Sequence, residues 1–332
     1  MNAEQLLKNV VDTKSSDLHL IFGVSPMVRT QGKLTVIPGT EKLTKETVKA
    51  LVLSLMRPDQ QKVFLKEKEL DFSVDLPGLA RFRVNTYFQR GTMAAALRHV
   101  PSKILSIDEL GLPPVCHSIA KLKQGFVLVT GPTGSGKSST LAAIIDEINQ
   151  TRSEHVVTVE DPVEFVFENK KSVISQRELG GDTMSWEKAL KSVLRQDPDV
   201  VLVGEMRDLE TMQAAITTAE TGHLVLATLH TNSAAQTIDR LVDSFPAGQQ
   251  SQIRSQLAGS LEVVLSQRLI PSIDGKRAVA TEVMVVTPAV KTNIREGKVH
   301  QIDNIIQTGS EMGMHLLETS LIELVNKGVI DS

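Results

Sequence analysis

Gly131-Pro132-Thr133-Gly134-Ser135-Gly136-Lys137-Ser138 spells G-x-x-x-x-G-K-S, and this pattern asks for a buried strand before it and a helix behind it. Both flanks comply. Phe126-Val127-Leu128-Val129-Thr130 reads as the strand, and Leu141, Ala142, Ile144, Ile145 and Ile148 recur at helical spacing. Glycines let successive backbone N–H groups turn inward around phosphate oxygens, where a Cβ would clash. The helix N-terminus adds partial positive charge. Lys137 is then placed for the β- and γ-phosphates, and the Ser138 hydroxyl for Mg²⁺. With Thr133, Gly134, Ser135, Gly136 and Ser139 they form the expected cradle for ATP. A chance glycine-rich turn would not bring strand, loop and helix together.

At 332 residues the chain has room for two cores. A net charge of −3 gives no general attraction to nucleic acid, and 3% aromatics leave few platforms for stacked bases, so no nucleic-acid partner is expected. Cys116 is the only cysteine, which rules out a disulfide framework or a CxxC zinc site and fits a reducing compartment. No apolar run approaches the roughly 18 residues of a membrane span. A cytoplasmic location is expected.

The pattern along the chain predicts an α/β protein of two domains: residues 1–100, a linker over 101–115, and residues 116–332. The first is a small α+β unit. It has a helix near Leu6–Val11, strands at Asp17–Phe22 and Met27–Val36 (broken by Gly32), and a helix capped by Thr44. Strands then follow at Leu70–Leu76 and Ala80–Tyr87, around a Pro77-Gly78 turn, and at Met93–Val100. Within Ala80–Tyr87, Phe82 and Val84 point one way and Arg81, Arg83 and Asn85 the other. After the Pro101–Pro114 connector, strands alternate with helices. Apolar runs at Phe126–Thr130, His155–Val159, Val200–Val203, Leu224–Thr228 and Ala278–Val285 predict a mostly parallel sheet between helix layers, a RecA-like P-loop fold. The predicted helices are Ser138–Asn149, Glu187–Arg195, Leu209–Glu220 and Ala234–Val242. Gln250–Leu265 reads as a further amphipathic helix, with Ile253, Leu257, Leu261 and Val264 on one face.

Glu205 follows the strand Val200–Val203 and Gly204, at the carboxyl end where open α/β sheets bind ligands. There a carboxylate can hold Mg²⁺ or activate the attacking water, so Glu205 is the leading catalytic candidate. A second strand end carries Glu160, Asp161 and Glu164, whose mutual repulsion asks for a cation. Spacing leaves open which of the three reaches a metal. His230 lies beyond Leu224–Thr228, placed to sense a γ-phosphate, whereas His223 opens that strand on the opposite side.

Four motifs in order resemble the secretion ATPases of the type II/type IV pilus class. They are the loop Gly131–Ser138, the acidic box Val159–Phe165, the stretch Leu194–Asp208, and the histidine box Thr221–Asn232. Ser16-Asp17-Leu18-His19-Leu20, Ala80–Asn85 and Ile294-Arg295-Glu296-Gly297-Lys298 are similar to the pilus retraction branch of that family. The resemblance implies a PAS-like N-terminal domain, a RecA-like second domain and a homohexameric ring that retracts a type IV pilus. It implies attachment to the inner membrane through a platform protein of the pilus machine, alongside a paralogous retraction ATPase. By position it makes Glu205 the catalytic glutamate, Glu164 the acidic-box carboxylate near Mg²⁺, and His230 the γ-phosphate histidine. Arg83 and Arg98 become the phosphate-sensing arginines. It also ties Thr287–Lys298 to retraction. That segment has an apolar stripe, Val290 and Ile294, beside a basic one, Lys291 and Arg295.

Three other readings share the core chemistry. A paralogous accessory retraction ATPase differs little in wording. A RecA-like nucleic-acid translocase sits poorly with the acidity and scarce aromatics. A small-molecule P-loop kinase would need a lid and an acceptor pocket, of which the sequence gives no sign.

Overall fold

The computed structural model describes residues 1–76, 79–100 and 103–331. The expected Pro77-Gly78 turn and the first two residues of the Pro101–Pro114 connector lie outside the described residues. By its contacts the chain divides into two compact units: Met1–Lys103 with Pro162–Val166, and Ile104–Asp161 with Phe167–Ser332.

The first unit contains α1 (Ala3–Asp12), β1 (Asp17–Leu20), β2 (Met27–Thr30), β3 (Lys33–Val36), α2 (Lys45–Ser54), α3 (Pro58–Glu67), β4 (Glu69–Leu76), β5 (Ala80–Gln89) and β6 (Thr92–Val100). Its sheet is antiparallel throughout, in the order β3-β2-β1-β6-β5-β4. Leu6, Val10, Val48, Val52 and Phe64 from the three helices pack on Leu18, Leu20, Phe82, Val84 and Leu97 from the strands. The side-chain alternation along β5 follows the pleat: Phe82 and Val84 are buried, while Arg83 is partly exposed and Asn85 exposed. β5 and β6 are joined by Arg90-Gly91 alone, both at positive φ (46° and 72°), the two-residue turn that suits the twist of a hairpin. α3 is an element the sequence reading lacks. It begins at Pro58 and contributes only Phe64 to the fully buried core, so its apolar periodicity is faint.

The second unit is built from α4 (Val115–Lys121), β7 (Gly125–Thr130), α5 (Lys137–Thr151), β8 (His155–Glu160), β9 (Val173–Glu178), α6 (Trp186–Val193), β10 (Val200–Val203), α7 (Leu209–Glu220), β11 (Leu224–Leu229), α8 (Ala234–Asp243), α9 (Gln250–Ser260), β12 (Leu261–Pro271), β13 (Arg277–Val285), α10 (Pro288–Glu296), α11 (Ile302–Thr308) and α12 (Leu317–Asn326). The strand order is β13-β12-β7-β11-β10-β8-β9, parallel except for β13. Every residue of β7, β10 and β11 is buried, because both faces are covered. Phe126 and Leu128 face a core with α6 to α11, whereas Val127 and Val129 face a second core with α4 and α5. This is the expected α/β class with a mostly parallel sheet.

Two corrections concern this sheet. The helix expected over Gln250–Leu265 stops at Ser260, and Leu261–Pro271 is strand β12. Leu261 and Val264 fit a helical stripe, but Val263, Val264 and the residues after them are drawn into pairing with β7 and β13. The polar strand β9 was not foreseen. It lies at the sheet edge with no fully buried residue. The segment Thr287–Lys298 forms α10, with Thr287 capping the Val290 amide and Gly297 ending the helix. Val290 and Ile294 are fully buried in its own unit's core, while Arg295 is exposed. The apolar stripe therefore packs the helix, and only the basic stripe is available for another role.

Candidate active site

Between β7 and α5 the backbone turns through Gly131, Gly134 and Gly136, all at positive φ. A Cβ on Gly131 would lie 2.3 Å from the Gln267 carbonyl oxygen, so only glycine permits this approach. Lys137, the first residue of α5, folds back and donates from Nζ to the carbonyls of Gly131 at 2.8 Å and Pro132 at 3.1 Å. Ser138 and Ser139 are half-buried behind it, and Thr133 and Gly134 are exposed at the loop tip. Ser135 is 3% exposed and its Oγ has no hydrogen-bond partner. A buried hydroxyl left unsatisfied costs on the order of 1–3 kcal/mol. α5 also opens without a side-chain cap, so its first amides face the same concavity. An orphan hydroxyl, uncapped amides and a lysine together fit a polyphosphate.

Glu205 stands at the carboxyl end of β10, two strands from β7, with β11 between. The separation is two strand spacings, on the order of 10 Å. Its Oε1 lies 3.1 Å from His230 Nε2 and its Oε2 2.8 Å from Arg207 Nη2. His230 directly follows β11, and Thr228 Oγ1 donates to the Gly204 carbonyl at 2.6 Å, tying the two strand ends together. Partial burial is the largest influence on the Glu205 carboxyl and pushes its pKa up. Arg207 and His230 together outweigh it and hold the group below the ordinary carboxylate range. The result is an ionised, oriented carboxylate beside an imidazole, the arrangement a water-activating group needs.

The acidic box separates into three environments. Glu160 is 9% exposed at the end of β8 and accepts from Thr158 Oγ1 at 2.6 Å and Gln176 Nε2 at 3.1 Å. Asp161 adds its charge to that of Glu205 in stabilising the Arg207 cation. Glu164 belongs to the first unit, where its Oε1 accepts from Arg83 Nη1 at 2.7 Å. In that unit Arg83 and Arg98 sit directly opposite one another on β5 and β6. Arg98 Nε donates to Asp17 at 3.0 Å, and Asp17 also holds Arg29 at 3.6 Å. Arg81 pairs with Asp75 at 3.0 Å. Among the described residues no group of three or more His, Cys, Asp and Glu gathers as a metal cage. Mg²⁺ in phosphoryl-transfer sites keeps water and phosphate oxygens and needs only one or two protein donors, so such a cage is not a requirement for it.

Residues 3–330 match the model of the family described as type II/IV secretion system protein. The chain belongs to this family. It is 49% identical to the type IV pilus retraction ATPase PilT of Pseudomonas aeruginosa, over 99% of this chain and 96% of that protein. It is 38% identical to the type IV pilus ATPase PilU of the same organism, over 99% of this chain and 86% of that one. Among solved structures it is similar to the pilus retraction motor PilT with bound ADP. The TM-score there is 0.93 at 44% identity, covering 99% of this chain and 94% of that one. In this member of the secretion family, three site features carry no sequence signal that spacing reveals. Gln267 braces the phosphate loop from β12, Arg207 and His230 divide the oxygens of Glu205, and Asp17 bridges two arginines. Gln267 and Asp17 meet partners distant in sequence, and His230 reaches Glu205 only because β10 and β11 are neighbours. No helix among the described residues is long and apolar enough to cross a membrane.

Proposed function

We propose that this protein is a motor ATPase that couples hydrolysis of ATP to retraction of a type IV pilus. The observation that carries the reading is the pairing of a complete phosphate loop with the Glu205–His230 couple at the same end of one parallel sheet. Full-length similarity to a retraction ATPase supports the pilus as the load.

In this reading Lys137 leaves the Gly131 and Pro132 carbonyls for phosphate oxygens, and the loop amides with Ser135 Oγ complete the cradle. Glu205 orients the attacking water and takes its proton, while His230 fixes the carboxylate's direction. Ser138 and Glu205, with Glu164, are the residues that would hold Mg²⁺, which supplies charge neutralisation on the transferred phosphoryl group. Arg83 and Arg98 respond to the γ-phosphate. A homohexameric ring, in the cytoplasm and held at the inner membrane by a platform protein of the pilus machine, would turn these local events into motion. A paralogous retraction ATPase would act alongside it.

An accessory retraction ATPase is the second reading, and the higher identity to PilT than to PilU favours the first. The test is to delete the gene in its own organism and image labelled pili. Pili that extend but do not withdraw, restored by the wild-type gene and not by Glu205→Gln, are expected. Normal withdrawal in the deletion strain would refute the retraction role, and withdrawal weakened only under load would point to the accessory reading.

A further inference from the structure

Gln267 lies on β12, one residue past the last pairing of that strand with β7 at Ser266 and Thr130. It is 1% exposed and nothing in the chemistry above uses it. Both ends of its amide are engaged, one by the phosphate loop and one by the helix that follows it. Nε2 donates to the Ser135 carbonyl at 2.7 Å, and Oε1 accepts from Thr140 Oγ1 at 2.9 Å. One side chain therefore joins the loop before Lys137 to the helix after it. Just below, Ser266 Oγ and Thr130 Oγ1 share a buried hydrogen bond at 2.8 Å. Gly136 faces the same amide: a Cβ there would lie 3.2 Å from Gln267 Nε2.

A peptide's carbonyl and the following N–H point in opposite directions. Holding the Ser135 carbonyl outward on Gln267 thus turns the Gly136 N–H toward the concavity where phosphate is bound. We infer that Gln267 is a positioning residue for nucleotide, setting the direction of the phosphate-loop amides from the neighbouring strand. The inference rests on the nucleotide reading of the Gly131–Ser138 loop. It makes β12 a partner in nucleotide affinity: displacing that strand would rotate the amides, and seating a diphosphate would fix the strand.

The experiment uses the full chain and a fluorescent N-methylanthraniloyl ADP with Mg²⁺. Gln267→Met keeps length and apolar bulk but neither hydrogen bond, and about tenfold weaker binding is expected, near what two lost hydrogen bonds deliver. Thr140→Val removes only the donor to Oε1, and a loss of about threefold is expected. Gln267→Glu supplies the diagnostic reading. Protonated, it accepts from Thr140 and donates to Ser135 as the amide does; ionised, it cannot donate. Burial at this position raises a carboxyl toward neutrality, so its affinity relative to wild type should recover as pH is lowered from 8 to 6, while Gln267→Met stays flat. Folded Gln267→Met that binds as wild type does would overturn the inference. If that variant fails to fold, wild-type affinity in folded Thr140→Val overturns it instead. A wild-type chain that binds no nucleotide would sink the parent reading first.

Discussion

Arg83 and Arg98 occupy facing positions on β5 and β6, yet each is held by a different carboxylate, Arg83 by Glu164 and Arg98 by Asp17. Two like charges set side by side in a sheet repel. The carboxylates offset that cost and hold both guanidinium groups in defined directions.

This arrangement separates stability from turnover. Arg83 and Glu164 are each more than a third exposed, so their pair contributes at most about 1 kcal/mol to folding. Arg83→Ala should melt within a few degrees of wild type. Its ATP turnover should nevertheless fall on the order of 10³-fold, the scale of a lost phosphate-sensing arginine. Steady-state phosphate release alongside a thermal melt decides the matter. Turnover near wild type in the folded protein would leave Arg83 as a surface residue.

Lys137 and Glu205 should fail in different ways. Lys137→Ala loses affinity as well as turnover, since its charge faces phosphate before and during reaction. Glu205→Gln retains the shape and the nucleotide affinity, while hydrolysis drops about 10²–10⁴-fold, the range of a missing general base. Equilibrium binding and single-turnover hydrolysis on the same preparations separate the two.

His117 supplies a pH dependence. Its Nε2 lies 3.2 Å from Asp108 and its Nδ1 2.7 Å from Glu147 of α5, and these carboxylates raise its pKa above the usual 6.5. A raised folded pKa contributes stability that is fully present below 6.5 and is lost as pH rises through the folded value. The melting temperature of wild type should therefore decline toward that of His117→Asn between neutral and mildly alkaline pH. A constant difference between the two across that window would contradict the assignment.

Helix α10 offers a test of force transmission that its apolar stripe cannot provide. Ile294→Ala removes a fully buried side chain and should cost about 2–5 kcal/mol, visible as a lower melting temperature. Arg295→Ala touches only the exposed face. It should fold and hydrolyse ATP normally while pili are withdrawn slowly or not at all, measured by imaging labelled pili. Normal withdrawal would assign the basic stripe to solvent.

Much of this architecture is legible in the chain, and the rest is hidden for identifiable reasons. The helix starts at Ser185, Asp208 and Thr44 are readable because a side-chain oxygen caps each one. The central strands are readable because burial on both faces demands unbroken apolar runs. β9 escapes because an edge strand needs no such run, and β12 is mistaken for helix because Leu261 and Val264, three apart, fit the helical period, while a bulge between Leu261 and Val263 lets both reach the same core from a strand. Glu205, the proposed catalytic glutamate, is legible as a strand-end carboxylate. Its division between Arg207 and His230 is not, because that depends on which strand ends up beside which.

The Arg90-Gly91 turn carries a consequence for variation. Its two residues fix the pairing of β5 with β6, and that pairing alone puts Arg83 and Arg98 on the same side of the sheet. A single inserted residue that slipped β6 by one position would turn Leu97 to water and Arg98 toward the apolar interior. Loss of the paired arginines and loss of the folded domain would then arrive together, from one change in a two-residue turn. The hairpin can tolerate substitution in sequence far more readily than any change in its length.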